Sequence, residues 1–164
     1  MSGSDGSTTW MDRATMRGLA LGFVLNFLLS SLAWVDLFDY YDVRVAASTM
    51  AAQTLAASWF ILQVTRRRFR LTDFQAVLVV HIAVLTVLLV AHERSPAPPG
   101  ANLTLTQGWS VAIVCGCILL LPPLRAGVAV LVVTALSGAI RSAFVPVPVA
   151  VTEAVIPIVG ALIT

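Results

Sequence analysis

The sequence predicts an all-α fold, a polytopic transmembrane bundle of about six helices with cytoplasmic N- and C-termini, and three observations lead there. Hydrophobic residues make up 59% of the 164 and charged residues 11%, with a mean hydropathy of +0.93, values of bilayer-embedded chains and not of soluble domains. The apolar residues fall into runs close to the roughly 20 residues that cross about 30 Å of hydrocarbon as a helix. Between two of these runs lies Thr65-Arg66-Arg67-Arg68-Phe69-Arg70, a cluster too costly to bury and therefore a topology marker.

The chain divides into a short polar segment, residues 1–17, expected in the cytoplasm, and one membrane domain, residues 18–164. The Ser/Gly-rich start lacks a basic cluster, and no cleavage site with a soluble chain behind it follows, so the first apolar run reads as an anchor. That run, Gly18 to Val35, is interrupted by Asn26 and two serines, with Arg13 and Arg17 ahead of it. Trp34, Tyr40 and Tyr41 mark the opposite interface, and Asp36, Asp39 and Asp42 make the first outer loop acidic.

A second segment, Val43 to Val64, is rich in Ala, Ser and Thr at small-xxx-small spacing, which predicts close backbone approach and the most protein-enclosed helix of the set. Thr72 or Asp73 is expected to cap the third, which runs to about Ala91. Ser95 to Gly100, with three prolines, reads as a stiff outer loop. The fourth segment is clearest from Gly108 to Leu121 and is stopped by Pro122-Pro123; the fifth runs from Ala126 to about Val145. Pro146-Val147-Pro148 turns the chain into a sixth run, Val149 to Thr164, which a re-entrant segment would also fit. This topology places Arg13, Arg17, Arg66, Arg67, Arg68, Arg70 and Arg125 inside, against Arg44, Arg94 and Arg141 outside or at the outer interface.

Five intramembrane polar residues are candidates for chemistry. Asn26, Gln53 and His81 fall near the centres of their helices, at similar depth, and suit a polar pocket or proton path with a desolvated His81 as its titrating member. The plainer reading is interhelical hydrogen bonding, worth about 0.6 kcal/mol per bond. Glu153 is the carboxylate inside the last apolar run, and Pro157 four residues on leaves its backbone carbonyl without a helical donor. Pairing of Glu153 with Arg141 across the Pro146 turn is the structural alternative to a proton or cation site.

Arg66, Arg67, Arg68 and Arg70 are first a topology determinant and second a surface for anionic headgroups, at about 1 kcal/mol each. Cys115-Gly116-Cys117 sets its thiols on nearly opposite sides of a helix, a poor chelate, and reads as small packing residues. The Gly18-x-x-x-Gly22 spacing is a weak helix-contact signal. No phosphate-binding loop, paired-carboxylate site, zinc signature, nucleophile triad or basic stripe for nucleic acid is present, so neither enzymatic activity nor a cofactor is indicated.

Short helices, brief loops, the arginine-rich second cytoplasmic loop and the Leu121-Pro122-Pro123-Leu124-Arg125 break together resemble the N-terminal membrane domain of bacterial sensor histidine kinases. The resemblance covers nearly the whole chain and implies a sensing and anchoring role in a bacterial plasma membrane, with kinase activity only in a catalytic region following Thr164. No kinase residue carries over. The expected partners are the lipid bilayer and a homodimer or larger membrane complex. The competing classes are a small proton- or cation-coupled transporter using His81 and Glu153, and an accessory subunit of a membrane complex.

Overall fold

The computed structural model describes residue 18 and residues 21–25, 37–66, 68–91 and 104–142. Every regular element among them is helical: one turn, Leu37–Tyr40, then α1 (Val43–Thr65), α2 (Leu71–Val90), α3 (Thr104–Leu120) and α4 (Pro123–Ser142). Residues 21–25 are helical as well. Helices α1, α2 and α4 are long and apolar enough to cross a membrane. The 17 residues of α3 reach about 25 Å, a little short of a hydrocarbon core.

The helix ends follow from local chemistry. Asp42 caps α1, its carboxylate accepting the Arg44 N–H at 2.8 Å, so one member of the acidic trio Asp36, Asp39 and Asp42 serves the backbone; the side chains of Asp36 and Asp39 lie outside the described residues. At the other end of α1 the Arg66 N–H donates to the Leu62 carbonyl and the Arg68 N–H reaches back to that of Gln63, which closes the helix tightly enough for α2 to begin at Leu71.

The expected cap of α2 is corrected in detail. Asp73 is the third helical residue, and its carboxylate turns back to accept the Arg70 N–H at 2.8 Å, while Thr72 is exposed. Pro122-Pro123 does more than stop α3. That helix ends at Leu120, and Pro123 is the first residue of α4, where a missing N–H costs nothing; α4 therefore starts three residues before the expected Ala126.

The helices form two antiparallel hairpins, α1/α2 and α3/α4, joined mainly where α2 packs on α4 and to a lesser degree on α3. Among the described residues α2, with neighbours α1, α3 and α4, is therefore the most enclosed helix, where the Ala/Ser-rich segment (α1) was expected to be. The reason lies in how the small residues of α1 are distributed. Ala46, Thr49, Gln53 and Ala57 recur at helical spacing on the inner face, but Ala47, Ser48, Ala51 and Ser58 point outward. Among the described residues Gly18-x-x-x-Gly22 marks no contact, since none of them lies within 4 Å of where a Cβ would sit at either glycine.

Candidate functional site

Two contacts fix the axial register of the hairpins. Near the connection of residues 66–70, Phe60 of α1 gathers Phe23, Phe69 and Phe74 at ring-centroid distances of 4.5, 5.5 and 6.1 Å. The Phe74 ring then covers Gly116 of α3 so closely that a Cβ there would stand 2.7 Å from Phe74 Cζ. Phe74 lies about one turn into α2 and Gly116 about one turn before the end of α3. The 66–70 and 121–122 connections therefore share one end of the bundle.

Measured from that end, Gln53 in α1, His81 in α2, Ser110 in α3 and Ser137 in α4 all lie about 15 to 21 Å deep. The structure joins them into one chain with a member from each helix. Gln53 Oε1 lies 3.4 Å from His81 Nδ1, His81 Nε2 lies 3.3 Å from Ser110 Oγ, and Ser110 Oγ lies 2.7 Å from Ser137 Oγ. All four are buried, His81 to 2% exposure and Gln53 to 3%.

One tautomer satisfies the ring at both ends. With Nδ1–H donating to Gln53 Oε1, Nε2 accepts the Ser110 hydroxyl, which in turn accepts that of Ser137. Every donor then points toward Gln53. Both contacts to the imidazole are longer than the usual 2.9 to 3.0 Å or so, whereas the hydroxyl pair is short, so the slack part of the chain is the imidazole, which makes one contact within the first hairpin and the one contact across to the second. The amide Nε2 of Gln53 is buried and has no hydrogen-bond acceptor among the described residues. Thr49, one turn away, is satisfied locally, its hydroxyl donating to the carbonyls of Val45 at 2.8 Å and Ala46 at 3.0 Å.

Of the five intramembrane candidates, the structure brings together Gln53 and His81. Asn26 and Glu153 lie outside the described residues. Arg141 is 7% exposed in the last turn of α4, one turn beyond Ser137. Arg66, Arg68 and Arg70 are exposed at the shared loop end, and Arg67 is outside the described residues. The sequence reading missed Ser110 and Ser137. A signal for Ser110 existed: it stands as many residues before the end of α3 as His81 stands after the start of α2.

The thiols of Cys115, half-buried, and Cys117, fully buried, are free. Among the described residues no group of three His, Cys, Asp or Glu side chains converges as a metal site. Tyr41, read from the sequence as an interface marker, lies just before α1 and is packed into the core at 5% exposure. Desolvation pushes its phenol up to about 12. The chain matches no family model, no curated protein and no solved structure.

Proposed function

We propose that this chain is a multi-pass protein of a bacterial plasma membrane, one helical domain with about six spans from residue 18 onward, whose arginine-bearing loop end and termini face the cytoplasm. In this reading it is a non-catalytic sensor and anchoring domain that relays a membrane or extracytoplasmic signal to a cytoplasmic partner or catalytic region by shifting one hairpin against the other. The membrane setting is supported by inverted burial. Leu55, Val79 and Leu131 are more than half exposed, while Gln53, His81, Ser110, Ser137 and Arg141 are buried, a distribution that suits a hydrocarbon solvent.

The relay rests on a single observation, the one long contact of the buried polar chain that crosses between hairpins, His81 Nε2 to Ser110 Oγ at 3.3 Å, beside the 2.7 Å serine pair within the second hairpin. Such a bridge can be broken and remade at little cost, which a two-state element requires. Spin labels at the outward positions Ala51 of α1 and Leu131 of α4, with Cys115 and Cys117 replaced by alanine, test it directly. The inter-label distance should show two populations whose ratio changes between thin and thick bilayers; one unvarying distance would overturn the relay.

A small proton-coupled transporter is the second reading, favoured by the continuity of the chain across all four helices. Proton flux into vesicles carrying the protein, abolished by His81→Leu, would replace the sensor reading with it. The pairing of Arg141 with Glu153 belongs to the sensor reading, in which that pair is structural. Arg141→Gln and Glu153→Gln should each lower folded yield in membranes, and the double change should recover part of it.

A further inference from the structure

We propose that the shared loop end carries a binding site for the phosphate of an anionic lipid headgroup, built from both hairpins: Arg66, Arg68 and Arg70 from the α1–α2 connection and Arg125 from the first turn of α4. The inference rests on the membrane reading above and deepens it by naming a partner. The sequence separates Arg125 from the other three by more than fifty residues, and it is the fold that assembles them. The Phe74–Gly116 contact sets the two connections level, and α2 packs on α4. Neighbouring helix axes are about 8 to 10 Å apart, so Arg70 at the start of α2 and Arg125 at the start of α4 stand within reach of one headgroup.

All four guanidinium-bearing residues are exposed. The acidic residue described at this end, Asp73, already accepts the Arg70 N–H, and it leaves the arginines in excess. Helices α2 and α4 both begin here, so the positive ends of their dipoles add to the same field. Guanidinium groups pair bidentately with phosphate oxygens, and the exposed apolar flanks of Leu124 and Val128 on α4 offer a path for acyl chains beside it. A lipid is therefore favoured over a free anion. Seated there it would clamp the hairpins together at the end opposite Tyr41.

Purified protein in neutral micelles supplies the test, with thermal unfolding followed by the fluorescence of its four tryptophans. Added phosphatidylglycerol should raise the melting temperature by several degrees beyond an equal amount of phosphatidylcholine, and inorganic phosphate at the same concentration should not. Arg125→Gln should lose a large part of the shift, Arg125→Lys should fall between wild type and Arg125→Gln because it keeps the charge without the bidentate fork, and replacing Arg66, Arg68, Arg70 and Arg125 together by Gln should remove it. Equal shifts with both lipids, or a full shift in Arg125→Gln, would overturn the two-hairpin site. An equal shift with inorganic phosphate would overturn the lipid as its source. Retention of the wild-type protein in membranes after alkaline carbonate washing is a separate readout: release there would defeat the membrane reading itself, whatever the melting data show.

Discussion

Phe74 of α2 lies against Gly116 of α3 with no room between them for even a methyl group, and this contact holds the two hairpins in register. A substitution to alanine must push the ring out of an aromatic cluster that also contains Phe60, 6.1 Å away between centroids. Gly116→Ala should therefore destabilise the bundle by about 1 to 3 kcal/mol, the usual cost of overpacking. Unfolding in mixed micelles measures it. A smaller ring-free partner, Phe74→Leu, should restore part of the loss in the double variant, whereas additive losses would mean that the two residues do not press on one another.

The buried polar chain should show the same kind of coupling, at lower amplitude. Ser110→Ala and Ser137→Ala remove opposite ends of a 2.7 Å bond, and a double-mutant cycle should return a coupling of about 0.6 kcal/mol. His81→Leu should cost more, about 1 to 3 kcal/mol, because it strands the Gln53 carbonyl oxygen and leaves the Ser110 hydroxyl one partner short in the buried interior. A His81→Leu variant as stable as wild type would show that the imidazole bridge is not made.

The disposition of charge predicts the orientation. Reporters fused after Arg70 and after Arg125 should read cytoplasm, and one fused near Tyr41 should read outside. Neutralising Arg66, Arg67, Arg68 and Arg70 together should give mixed orientations, scored by the same reporters; a population left wholly in one orientation would show that the remaining arginines suffice.

Tyr41 supplies a pH dependence whose sign is fixed by its burial. Its folded value, about 12, lies above that of a solvated phenol near 10, so the contribution to stability is complete below about pH 10 and is lost as pH rises toward 12. Ultraviolet titration of the two tyrosines should show one ionising late, and Tyr41→Phe should remove both the late step and the accompanying loss of stability. Simultaneous titration of both rings would contradict the buried placement.

The sequence by itself determined the helical character, the near positions of the helix ends and the end at which charge collects, because each depends on neighbours along the chain: hydropathy over a window, a capping carboxylate, a proline without an N–H. Gln53 and His81 could be singled out for the same reason, as polar residues in apolar surroundings. Which helix would be enclosed, whether the small residues of α1 or the Gly18/Gly22 pair would meet a partner, and why position 116 must be glycine were decided only by the tertiary structure. Those facts concern faces and distances between segments remote in sequence, and in an apolar solvent Ala, Ser and Gly are compatible with either side of a helix. Ser110 and Ser137 show the limit most plainly. A serine can satisfy its hydroxyl on its own helix, as Ser142 does on the Ala139 carbonyl at 2.8 Å, so nothing local distinguishes one that reaches across to another helix until the helices are placed side by side.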